Sequence, residues 1–201
     1  MADVPAWPSY PVGPEDSIFA LGVVSVNFAR FEYAFTWLLT VVSGLHEDFA
    51  RITLARVGLL TSTQLLDSMI EKKDWPDGAI ELIRYFLKAT KILAENRNTL
   101  LHSNLIQGWE KDATLYHVSR QGTMIQLQMS VDQIRQVADD LEQYFIFAQT
   151  VANAVAVNVS QAGQQEAALF APFPWPDKPP LPIPLRAPLQ GPDRRNRSPS
   201  P

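Results

Sequence analysis

The stretch AIELIRYFLKATKILAENRNTLLHS, residues 79–103, decides how this chain is read. Ile83, Phe86, Leu87, Leu93, Leu100 and Leu101 recur at three- and four-residue steps, the period of a helix with one apolar face. At its end stand a cation, an amide and an imidazole: Arg97, Asn98 and His102. Lys91, Glu95, Asn98 and His102 are spaced 4, 3 and 4 apart, so at roughly 100° per residue they share one polar stripe. Arg97 falls elsewhere, in the row Phe86, Thr90, Leu93, Leu100, which is otherwise mostly apolar. Burying an unpaired charge is expensive, so Arg97 either finds a partner or lines a cleft.

Upstream, residues 16 to about 44 read as a first long helix through Leu21, Phe28, Phe35, Leu39 and Val42, with Gly44 as its stop. Residues 48–73 read as a second helix that Gly58 and Thr61-Ser62-Thr63 can split. Trp75-Pro76-Asp77-Gly78 is a turn signal. Downstream of His102 the period shortens to two, giving short strands over 105–110, 114–119 and 124–129. Ser130-Val131-Asp132-Gln133 is a capping box opening the last helix, expected to run to about residue 165. The expected fold is mainly α: a four- to five-helix bundle with a small antiparallel β hairpin or flap between the last two helices.

The expected organisation is a proline-rich arm over 1–15, a helical domain over 16–170 with its β insert at about 105–129, and a tail over 171–201. From Pro172 onward there are eleven prolines, with serines and basic residues, so disorder or polyproline segments are expected there. Phe170, Phe173 and Trp175 are candidates to dock on the bundle. The chain carries a net charge of −4. The tail from Pro172 accounts for +3, leaving −7 on the body. An acidic body does not favour broad, nonspecific binding to a long duplex, which relies on neutralising many phosphates. A small local phosphate site is still open to it. With no cysteine there is no disulfide scaffold and no thiolate metal site, which suits a reducing cytoplasm. No secretory signal is read at the N-terminus, where Pro5, Pro8, Pro11 and Pro14 interrupt the chain. The apolar stretch from Ile18 to Leu45 carries Asn27, Arg30 and Glu32 near its middle. It is read as a core helix, not a membrane span.

Two plain accounts stand beside a functional one for the terminal cluster. The first-helix row Leu21, Ser25, Phe28, Glu32, Phe35, Leu39 is interrupted by Glu32, and a buried Glu32–Arg97 pair would satisfy both groups. His102 can cap the last carbonyls of its helix at the negative end of the dipole. A carboxylate can equally aim a guanidinium at a phosphate.

Arg97-Asn98-x-x-x-His102, late in a long helix of an all-helical domain, resembles the arginine–polar–three residues–histidine signature of HEPN domains. The resemblance covers about residues 16–165. It implies a metal-independent endoribonuclease, with His102 in acid–base catalysis, Arg97 clamping the phosphate and Asn98 orienting both. Glu32 and Glu95 are supporting candidates. Cleavage by the ribose 2′-hydroxyl would leave a 2′,3′-cyclic phosphate and a 5′-hydroxyl, and a toxin or defence effector is the implied setting. No metal and no other cofactor is expected. Arg97 and His102, five residues apart, diverge by roughly 140° around the helix axis. The resemblance resolves this by homodimerisation, with two motifs meeting at the third helix.

Two alternatives remain open. One is a non-catalytic HEPN-like module that binds a nucleotide, RNA or a protein partner such as an antitoxin. The acidic body fits it, as does Asn104, which stands where some toxin-type members carry tyrosine. The other is a helical interaction protein whose Pro179–Pro184 segment engages an aromatic groove on a partner. His46 and His117 have no metal-ligand spacing with His102. Trp109 and Tyr116 could stack on a base or pack on the bundle. The run Arg194-Arg195-Asn196-Arg197 reads as a solvated charge cluster. A cytoplasmic chain without membrane contact is expected.

Overall fold

The computed structural model describes residues 13–46, 48–49, 52, 57–72, 75–106, 113–118, 124–159 and 174–185, with the backbone alone over 104–125. Residues 1–12 of the expected arm, Trp109, Phe170, Phe173 and Arg194–Arg197 lie outside these residues, as do the side chains of Tyr116 and His117. Glu15, expected in the arm, already belongs to the first helix. The chain is mainly helical. Among the described residues are four helices, α1 (Glu15–Ser43), α2 (Leu59–Lys72), α3 (Asp77–Leu101) and α4 (Val131–Val159). Three strands, β1 (Asn104–Ile106), β2 (Ala113–Val118) and β3 (Met124–Met129), lie between α3 and α4. They pair antiparallel in the order β1-β2-β3, with Leu105 opposite Leu115 and Leu115 opposite Leu127.

Local chemistry sets the helix ends. Gly44 closes α1 in the left-handed region at φ 70°, its amide returning to the Thr40 carbonyl. The capping box forms at α4: the Gln133 amide donates to Ser130 Oγ at 3.2 Å, and the Ser130 amide donates to Gln133 Oε1 at 2.9 Å. Of the second helix expected over 48–73, residues 48, 49, 52 and 59–72 are helical, with a break over 57–58, at Gly58; residues 50–51 and 53–56 lie outside the description.

The core lies where α1, α3 and α4 meet. Asn27 Nδ2 donates to the Ala138 carbonyl at 3.0 Å, and Arg30 grips Glu142 while its guanidinium lies 4.3 Å from the Phe145 ring centre. These contacts advance together along both helices, so α1 and α4 run parallel. Phe28 meets Arg97 while Phe31 and Phe35 meet Phe86, so α3 runs antiparallel to α1. By length and composition α1 could cross a bilayer, its most apolar 18 residues having a mean hydropathy of 1.3. In the fold one side of it, from Ser17 to Val42, is buried against the bundle. At the end of β3, Leu127 and Met129 turn toward the core while Gln126 and Gln128 are exposed, a two-residue period.

Composition predicts disorder or polyproline segments from Pro172 onward, with Trp175 a candidate to dock on the bundle. Residues 174–185 run extended along α3 from its start to near its end. Trp175 packs at Gly78, where an added Cβ would lie 2.8 Å from the indole Nε1. Lys178 pairs with Glu81. The Tyr85 hydroxyl donates to the Pro179 carbonyl, and the Tyr144 hydroxyl donates to that of Pro180 at 3.2 Å. Burial holds the Tyr144 phenol well above its ordinary pKa, so it stays a donor. Asn96, 2% exposed, clamps the strap from both sides. Its Nδ2 donates to the Ile183 carbonyl at 2.9 Å, and its Oδ1 accepts from the Leu185 amide at 2.9 Å. Prolines fix φ in advance, so little backbone entropy is lost on docking. That is why a segment too polar and proline-rich to fold alone is ordered here. The aromatic groove met by Pro179–Pro184 belongs to the chain's own bundle.

Asn96→Leu keeps the side chain's size but strands a carbonyl and an amide of the strap. We expect a stability loss of about 1–3 kcal/mol by denaturant titration. Faster hydrogen exchange at the Leu185 amide is the specific signature, and an unchanged exchange rate there would refute the clamp.

Candidate functional site

Helix α3 ends at Leu101, and His102 is its C-cap, with φ −105° and ψ 9° and its amide bonded to the Asn98 carbonyl at 3.0 Å. The stripe Lys91, Glu95, Asn98 and His102 is exposed throughout, while Phe86, Thr90, Leu93 and Leu100 are buried. Arg97, at the edge between these faces, is half-buried. Its guanidinium carbon lies 4.7 Å from the Phe28 ring centre, and its Nε is buried without a hydrogen-bond partner among the described residues. Stacking on an aromatic face holds the planar cation in place without neutralising it.

From that position Arg97 Nη1 donates to Asn98 Oδ1 at 3.0 Å and stands 3.2 Å from His102 Nε2. The 140° divergence expected along one helix is therefore overcome within a single chain. The physical reason is twofold. Arginine's side chain is long enough to sweep round the helix end, and His102 has left helical geometry at the cap. Arg97 and His102 meet within one copy of the chain. Since the guanidinium can only donate, His102 Nε2 is the acceptor, which puts the proton of the neutral imidazole on Nδ1. The ring faces Arg97 and not the last carbonyls, so the expected cap by the imidazole is not seen among the described residues; the bond that closes the helix is made by the His102 backbone amide.

The expected Glu32–Arg97 ion pair does not form among the described residues. Glu32 is exposed on α1, with no salt bridge to Arg97. Partial desolvation raises the Glu32 carboxyl above its ordinary pKa, and the nearby Arg97 charge offsets part of that rise. The sign follows: a carboxyl raised in the folded state costs stability as pH climbs from the ordinary glutamate value through the raised one. Glu32→Gln is expected to flatten that part of the stability–pH curve and to raise stability at pH 7. An unchanged curve would count against the desolvation. Asp140, raised mainly by burial, leaves a residual slope of the same sign. Glu95 is exposed and makes no ion pair or hydrogen bond among the described residues. His46, in the turn after α1, is exposed and lies 3.8 Å from Asp48.

Asn96 went unread in the sequence although a signal was present. Gly78, Tyr85 and Asn96 lie within about 20° of one row on α3, and all three face residues 174–185. The polar stripe also extends backward. A cavity of about 410 Å³ between α2 and α3 is lined by Thr63, Gln64 and Asp67 together with Arg84, Lys88 and Lys91. Arg84 is 3.9 Å from Glu71. The cations at 84, 88 and 91 continue the spacing of Glu95, Asn98 and His102 along one exposed face of the helix, with the Glu95 carboxylate between Lys91 and the motif. Compared with protein-family models, curated proteins and solved structures, the chain matches none.

Proposed function

We propose that the chain is a HEPN-like, metal-independent endoribonuclease with Arg97, Asn98 and His102 as its working residues. The single observation that carries this reading is the 3.2 Å approach of Arg97 Nη1 to an exposed His102 Nε2. It sets beside a fixed cation an imidazole nitrogen that accepts a proton when the ring is neutral. His102 takes the proton of a ribose 2′-hydroxyl, and the 2′-oxygen bonds to the adjacent phosphorus. The bond from phosphorus to the 5′-oxygen breaks, and that oxygen leaves with a proton from solvent. The two Nη1 hydrogens held in the free protein by Asn98 and His102 turn to the phosphoryl oxygens as charge gathers there. Arg84, Lys88 and Lys91 guide the strand along α3.

The test is cleavage of mixed RNA by the purified full chain in excess EDTA, with the product ends analysed. Cleavage leaving 2′,3′-cyclic phosphate and 5′-hydroxyl ends is expected, and intact RNA would remove the catalytic reading. A non-catalytic RNA-binding module is the second reading. It is favoured by the open surface on which the motif sits, and it predicts RNA retention without cleavage.

A further inference from the structure

We propose that the outer face of α1 is a self-association seam at which two copies of the chain pair their first helices antiparallel. The inference goes beyond the nuclease reading and does not depend on it. At about 100° per residue, Phe19, Gly22, Val26, Ala29, Tyr33 and Thr36 form one stripe opposite the buried side of α1. Phe19, Val26 and Tyr33 are 72%, 61% and 66% exposed, and Gly22 and Ala29 are exposed beside them. A surface helix ordinarily turns charged residues outward along this line; between residues 19 and 36 this stripe has none, Glu15 standing at its N-terminal end. Of its two hydroxyls, that of Thr36 is already bonded to the Glu32 carbonyl at 2.9 Å, and that of Tyr33 stands at the tip of a long ring.

The order of sizes identifies the occupant. Large residues stand at 19, 26 and 33, and small ones at 22, 29 and 36, both at a seven-residue period. A two-fold axis passing between residues 27 and 28 sets Phe19 against Thr36, Tyr33 against Gly22 and Val26 against Ala29. Each large side chain then enters the space over a small one, as helix seams require. A Cβ added at Gly22 would meet nothing within 4 Å, so the place for a tyrosine ring is open. A parallel pair would set ring on ring and glycine on glycine. In the antiparallel pair the flanking charges Arg30 and Glu32 fall opposite Ser25 and Val23, so like charges do not meet. At on the order of 200 Å² per aromatic side chain, Phe19 and Tyr33 of two copies supply roughly 550 Å². That is about half of the ~1,000 Å² that marks a specific interface. Arg97 packs on Phe28, on the buried side of α1, so each copy keeps its own open motif.

The experiment is sedimentation of the full chain over a concentration series up to about 100 μM, alongside Gly22→Leu. Leucine is more apolar and a better helix former than glycine, so it would strengthen generic stickiness or membrane binding. It would block only a partner that needs the gap. We expect a dimer, weakened by at least about tenfold in Gly22→Leu. Because the chain has no cysteine, mild oxidation of the double variant Val26→Cys with Ala29→Cys should link two chains, whereas Val26→Cys alone should not. A wild-type monomer, undiminished association of Gly22→Leu, cross-linking by Val26→Cys alone, or association only on added lipid vesicles would each overturn the proposal. So would a lower melting point for monomeric Gly22→Leu, since the face would then be covered within one chain.

Discussion

His102→Ala is expected to slow RNA cleavage by about 10²–10⁴-fold, the usual contribution of a positioned acid–base group. Stability should stay within about 0.5 kcal/mol of the parent. The two halves of this expectation come from one piece of geometry. The ring of His102 is exposed, and the helix cap is made by its backbone amide to the Asn98 carbonyl, which alanine retains. Arg97→Met extends the same test. Methionine keeps an apolar chain over Phe28 and removes a buried Nε that has no partner. With no ion pair to Glu32 to break, the loss of several kcal/mol that follows removal of one partner of a buried pair does not apply. Cleavage should fall by a similar factor to that of His102→Ala, and the double variant should be little worse than either single one, because the two groups act as a unit. Three variants cleaving at the parent's rate would exclude the motif from the chemistry. A marked loss of stability in Arg97→Met would instead restore a structural role for the guanidinium.

What the sequence made legible follows from the range of the interactions involved. Helix ends set by local chemistry could be read directly at Gly44, the end of α1, and at the Ser130–Gln133 box, the start of α4, whereas α3 begins at Asp77, inside the stretch read as a turn and two residues before the expected Ala79. The exposed stripe through Lys91, Glu95, Asn98 and His102 was legible for the same reason, since helical period alone decides it. Glu32 was misread because a row of apolar residues has edges. Phe28 and Phe35 are buried, yet Glu32 between them sits far enough round the helix to reach water. The convergence of Arg97 on His102 was misread because the wheel projects Cα directions, and a long side chain at a helix terminus is not bound by them. For residues 174–185 composition left disorder and polyproline segments both open and offered Trp175 as a docking residue, but not the path along α3. Proline content argues correctly that the segment cannot build its own core. The partners that hold it, Tyr85, Asn96 and Tyr144, lie between 35 and 94 residues away in sequence.

Phe86→Ala is expected to cost about 3–5 kcal/mol, a large share of the 5–15 kcal/mol that separates folded from unfolded domains. Phe86 has no exposed surface and stands at the junction of the three long helices. Its ring centre lies 5.7 Å from Phe31 and 5.6 Å from Phe35 on α1, and 6.3 Å from Phe147 on α4. Truncation removes the packing of one helix against two others, and neighbours on long rigid helices cannot collapse far into the space. The consequence for the motif follows from the same register. Phe28, one turn before Phe31 on α1, carries the Arg97 guanidinium, so the seating of α1 on α3 at Phe86 also sets the platform beneath the cation. Phe86→Leu, which keeps most of the volume, should lose less than half as much and retain cleavage. Denaturant midpoints of the two variants and the parent provide the comparison. If Phe86→Ala cost no more than Phe86→Leu, the junction would not be the tightly packed centre described above, and the link between core packing and the Arg97 platform would fail with it.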